Sequence, residues 1–129
     1  MAKFSMTKSK FINQWIRHFA SELSKEQFEN YVKDQYIWHV FSYELIDYDE
    51  LLIGDDARRA FDSITKKDCI CCDMFNGNGV IDNLSSKFDT AEKIDEEFKE
   101  FYAVDKGYSW TYIKTHEGDK FGPYFLRMK

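Results

Sequence analysis

The sequence holds only one proline, six glycines and three cysteines in 129 residues. So little proline and glycine excludes long flexible linkers and low-complexity spacers. No run approaches the roughly 20 apolar residues that a membrane-spanning helix requires. Near the N-terminus, Asn13, Gln14, Arg17 and His18 interrupt the apolar residues and break any secretory core. A soluble, intracellular protein with no membrane partner is therefore expected. Gly-x-Gly-x-x-Gly, the phosphate-binding loop, Gly-x-Ser-x-Gly and His-Glu-x-x-His are all missing, which argues against the commonest nucleotide-binding and hydrolase machinery.

The cysteines are few and clustered. Cys69, Cys71 and Cys72 form neither a zinc knuckle nor, being odd in number, a fully paired disulfide set. They read as reduced, small apolar residues of one strand, with Cys69 and Cys71 on one face and Cys72 on the other. No metal and no cofactor are expected. A calcium loop from Asp73, Asn76, Asn78 and Asp82 fails on spacing and lacks a closing glutamate.

Positive charge is also in short supply, and the net charge is -5. Residues 44–56 hold six acidic residues and no basic one, and residues 89–105 hold seven against Lys93 and Lys99. The first 33 residues are net basic, with six Lys/Arg against three Glu. An acidic chain repels phosphate backbones, so nucleic acid is not an expected partner. The acidic runs read as solvated surface or, more sharply, as a face for a basic protein partner.

Aromatic residues are plentiful, at 18% of the chain within an apolar share of 43%. Rings of that size should dominate the core of a chain this long. Phe11, Ile12, Trp15, Ile16 and Phe19 recur at helical spacing, which predicts a helix over residues 8–23. Ser24-Lys25-Glu26-Gln27 is a capping box that starts a second helix striped by Phe28, Tyr31 and Val32. Residues 36–44, Tyr-Ile-Trp-His-Val-Phe-Ser-Tyr-Glu, are rich in aromatic and β-branched types and predict a strand covered on both faces. A third helix follows Gly54, with Ala57, Ala60, Phe61 and Ile64 on one face. Residues 69–75 predict a strand, Asn76 to Gly79 a turn, and residues 80–84 a short return strand. A fourth helix is predicted over residues 89–101, with Asp89 and Glu92 capping it. Strands are predicted over residues 102–105, 108–116 and 121–126, the last two a hairpin. Pro123 places the final strand at an edge or on a bulge. The expectation is a single α+β domain over residues 1–129. It comprises a helix pair at about 8–34, then further helices packed on a largely antiparallel or mixed sheet at about 36–126.

Candidate site residues gather where polar groups end aromatic strands. On a regular strand, His116 and Glu117 point to opposite faces and converge only if the turn begins at His116. Thr115, His116 and Glu117 read first as strand-end residues satisfying backbone groups, and second as a binding site together with His39 and Glu44. A metal-dependent or hydrolytic enzyme would draw on His39, His116 and Glu117, with Glu44 as an alternative carboxylate. An aromatic platform for single-stranded nucleic acid, using Trp110 and Tyr112, is disfavoured by the charge.

Two stretches carry a resemblance: Trp38-His39-Val40-Phe41-Ser42-Tyr43, and Ser109 to Glu117 together with Gly122-Pro123-Tyr124-Phe125. In these the chain resembles domain-of-unknown-function family 4275. The resemblance implies a bacterial cytoplasmic protein and no activity, and it assigns no residue a role. The functional expectation is a protein-binding module with an acidic face toward a basic protein; the alternative is the small enzyme described above.

All three thiols should titrate with a thiol reagent in the denatured, unreduced protein. Fewer reactive thiols, or one zinc per chain by elemental analysis, would overturn the cysteine reading.

Overall fold

The computed structural model describes residues 8–33, 36–66, 69–73, 81–83, 89–117 and 120–128. The predicted turns at Asn76 to Gly79 and at Gly118-Asp119 lie outside these residues. The first helix, α1, is Lys8–Phe19, four residues shorter at its end than its apolar pattern suggests. Ser24 caps α2 (Lys25–Gln27) with both bonds of the box in place. The chain then continues through a wider turn at Phe28–Val32, where the Lys33 amide donates to the Phe28 carbonyl at 2.8 Å.

The predicted strand over residues 36–44 is instead a turn and a short helix, α3, at His39–Ser42. Its buried residues are Ile37, Trp38, Val40 and Phe41. That spacing is helical, with burial at i, i+1, i+3 and i+4, and not the alternation of a strand. The amide of Ser42 donates to Trp38 and that of Tyr43 to His39, both at 3.0 Å. Aromatic and β-branched content reports fitness for a packed surface more than a backbone preference, and here a helical turn supplies the surface.

Among the described residues the sheet has six strands, ordered β1-β6-β5-β4-β2-β3, and each of their pairings is antiparallel. The strands are β1 (Leu52–Ile53), β2 (Cys69–Asp73), β3 (Ile81–Asn83), β4 (Phe101–Asp105), β5 (Trp110–Lys114) and β6 (Tyr124–Arg127). With α4 (Asp55–Ser63) and α5 (Ala91–Glu97) the fold is α+β, as expected. The predicted fourth helix stops at Glu97, because Phe101 onward pairs with β2 and β5 on both sides. Thr90, not Asp89, caps α5 through the Lys93 amide, while Asp89 pairs with the Lys93 ammonium at 3.2 Å. β6 is not an edge strand. β1 covers it, and Pro123 sits just before its first residue, with its carbonyl taking the Gly54 amide at 2.8 Å. Gly122 is required there: its φ is +100°, and a Cβ would meet the Tyr124 ring at 3.0 Å.

Period-2 alternation sorts the strands onto two cores. Tyr102, Val104, Ile113, Tyr124, Leu126, Ile70 and Cys72 face α1, α3 and the preceding helical turn. Phe101, Ala103, Trp110, Tyr112, Phe125 and Cys69 face α4 and α5. Cys71 packs on this second side, as its predicted face requires. A buried polar bridge pins α1 to the sheet: Trp15 Nε1 donates to Thr111 Oγ1 at 2.9 Å, and that hydroxyl donates to the Ala103 carbonyl at 3.0 Å. Trp110 and Tyr112 are core, so neither is a stacking platform. No helix among the described residues is long and apolar enough to cross a membrane.

Trp110 packs against Phe61 and Phe125 and is 4% exposed. Trp110→Ala should lower stability in denaturant unfolding by about 3–5 kcal/mol. A loss below about 1 kcal/mol would contradict its place in the core.

Candidate functional site

Sequence reasoning treated the carboxylates of residues 89–105 as solvated, and one of them is not. Glu100, between α5 and β4, is 0% exposed. A buried carboxyl group needs donors for its oxygens. Trp38 Nε1 donates to Oε1 at 3.2 Å, and the Tyr102 hydroxyl donates to Oε2 at 2.5 Å. The His116 amide donates to Oε1 at 3.3 Å, and His116 Nδ1 lies 2.7 Å from the same oxygen. Burial raises the Tyr102 hydroxyl well above its usual pKa, and the Glu100 charge and hydrogen bond add to the effect. Tyr102 is thus held as a donor. The only sequence signal for Glu100 is its place two residues before Tyr102, on the same face of an extended chain.

β5 ends at Lys114, so the chain turns at His116 and Glu117. This early turn is the condition under which the two side chains meet, and His116 Nε2 lies 3.2 Å from Glu117 Oε2. The imidazole therefore stands between a buried and an exposed carboxylate. Both residues are at the surface, with side-chain exposures of 26% for His116 and 38% for Glu117. Thr115 is fully buried and serves the turn: its hydroxyl donates to the Phe121 carbonyl at 2.5 Å and accepts the Glu117 amide at 3.3 Å. Lys114 Nζ donates to the carbonyls of Asp95 and Phe98, holding the end of α5 beside this corner. The corner opens onto a groove of about 590 Å³ between Asp95 and His116.

His39 and His116 are near neighbours through other rings rather than partners. Tyr36 lies 5.6 Å from His39 and 5.0 Å from His116, and Trp38 lies 4.7 Å and 5.9 Å from them. His39 Nδ1 is instead 2.7 Å from the Tyr31 carbonyl oxygen. Glu44 sits apart, on a hollow of about 250 Å³ lined by Phe41, Ile46, Asp47, Tyr48 and Leu51. The five predicted site residues thus do not form one site: Thr115, His116 and Glu117 share the corner, His39 adjoins it through Tyr36 and Trp38, and Glu44 lies on the separate hollow. Among the described residues, no three His, Cys, Asp or Glu side chains converge as a metal site.

Glu100→Ala leaves the buried Trp38 and Tyr102 donors without an acceptor, removes the His116 partner as well, and should lower stability by about 3–5 kcal/mol. His116→Ala with Glu117→Ala should lower it less, by about 1–3 kcal/mol. Denaturant unfolding checks both, and equal losses would contradict the central place of Glu100.

Comparison with curated proteins and with solved structures finds no match. One family profile, described as Domain of unknown function (DUF4275), matches residues 1–125. That match takes in both stretches that meet at Glu100, and nearly the whole chain, so the protein belongs to this family of unknown function.

Proposed function

We propose that this protein is a binding module that holds a basic protein partner on an acidic face. The carrying observation is the set of exposed carboxylates over residues 44–56. Glu44, Asp47, Asp49, Glu50, Asp55 and Asp56 are exposed, as are Leu52 and Ile53 within the same stretch. Arg58 and Arg59 pair with Asp55 and Asp56. Among the described residues no cation pairs with Glu44, Asp47 or Asp49. Carboxylates around an apolar edge strand suit a lysine- and arginine-bearing surface, by steering and by charge matching on contact.

A second reading is acid–base chemistry at His116. It is favoured by Glu100, whose bond to Nδ1 leaves Nε2 as the ring nitrogen turned toward Glu117.

The test is a variant carrying Glu44→Gln, Asp47→Asn and Asp49→Asn. It should keep the parent's stability and lose a basic protein that the parent retains from native extract at low salt and releases at high salt. A stable variant that keeps every partner of the parent overturns the binding reading. Turnover of activated esters by the parent, abolished in His116→Ala, would favour the second reading.

A further inference from the structure

Just after α3 the surface opens into the hollow of about 250 Å³ on which Glu44 lies. Its lining is graded by exposure. Phe41 and Ile46 are buried and form the floor, Tyr48 and Leu51 are half-buried and form the walls, and Glu44 and Asp47 are exposed and form the rim. An apolar floor and two carboxylates therefore belong to one cavity.

Long-range bonds hold that cavity open. Gln27 Nε2 donates to the Leu45 carbonyl at 3.3 Å, and the Tyr48 hydroxyl donates to the Phe19 carbonyl at 2.5 Å. Burial, with Glu22 adding to it, raises the Tyr48 hydroxyl above its usual pKa, so Tyr48 lends the hollow a ring and no charge. The Phe41 ring is enclosed by Trp15, Tyr48 and Tyr124, at 5.6, 5.4 and 5.1 Å, and is only 4% exposed. Glu44 takes a left-handed backbone, φ 52°, at the end of α3, a position glycine usually fills. A side chain there costs stability, and at this position it is a carboxylate on the hollow.

We infer that the hollow takes one lysine side chain of the partner. The inference rests on the reading that the partner is basic. The volume lies below the roughly 300–1,000 Å³ of small-molecule sites, and suits a single long side chain. The aliphatic stem of lysine covers Phe41, Ile46 and Leu51, and its ammonium, with three freely turning donors, serves Glu44 and Asp47 together. A guanidinium gains most from an open ring face, and the Phe41 ring offers none. A bare cation would leave the apolar floor uncovered, and a neutral chain would leave both carboxylates without a partner.

The experiment titrates the isotope-labelled full chain, followed by NMR at low salt, with a short peptide carrying one lysine among uncharged residues. Counterparts replace that lysine by diaminobutyric acid, norleucine or arginine, at a pH where every amine is charged. The lysine peptide should bind most tightly and shift the amides of residues 44–51. Diaminobutyric acid keeps the charge on a shorter stem and should bind about tenfold more weakly, because less apolar surface leaves water. Norleucine should not bind. Glu44→Gly should keep or raise the unfolding midpoint and weaken lysine binding about twofold to fivefold. Equal binding of the long and short amines overturns the hollow and leaves the acidic-face reading standing on charge alone. Arginine binding as tight as lysine overturns the lysine assignment. Shifts confined to other residues, or parent-like binding by Glu44→Gln with Asp47→Asn, overturn the site. A parent that binds no basic peptide overturns the inference, while an intact protein partner lost on neutralising the acidic face would still uphold the broader reading.

Discussion

A carboxyl group out of reach of water sets the terms for the rest of this molecule. Glu100 is fully buried, and its oxygens take hydrogen bonds from Trp38, Tyr102 and His116. Unmet, such a group is among the most destabilising features a core can contain. Each donor is therefore fixed in place: the Trp38 turn against the start of β4, the Tyr102 ring inside the sheet's first core, and the corner after β5 against both. The surface orientation of His116 follows from this buried requirement.

The same constraint accounts for the two motif stretches. Trp38 comes from the first, and Thr115, His116 and Phe121 lie in or beside the second. Trp38 and His116 share Glu100, the Trp38 ring stacks on Phe121 at 5.8 Å, and Thr115 bonds the Phe121 carbonyl. Gly122 then passes the chain under the Tyr124 ring. Much of the motif is thus a structural junction. Tyr43, His116 and Glu117 are among its exposed members.

Acidity plays two roles in this fold. One carboxylate is internal and organises the junction. Others in both acidic runs lie outside, and several are met by neighbours, as Asp55 and Asp56 are by Arg58 and Arg59 and as Asp95 is by Arg58 at 3.0 Å. What remains exposed is divided between the two runs, with Glu44, Asp47, Asp49 and Glu50 in the first and Glu92, Glu96 and Glu97 on α5 in the second. Formal net charge does not distinguish these roles, because it weighs an exposed and a buried carboxylate equally.

Local rules were enough for much of the architecture. The Phe11-Trp15-Phe19 stripe, the Ser24 capping box, the helix after Gly54 and the two-faced strands at β2, β4 and β5 all follow from periodicity and capping, which act between near neighbours in the chain. Residues 36–44 did not, because their aromatic and β-branched content suits either a strand or a buried helical turn, and long-range contacts choose. The Trp38–Glu100 bond spans 62 positions in the sequence. Whether His116 and Glu117 converge depended on where β5 stops pairing with β4, one position of register that flips a side chain to the other face. Glu100 was the least legible residue of all. Its sequence neighbourhood is that of a solvated acid, and only the tertiary structure brings in the Trp38 and His116 donors that make its burial tolerable.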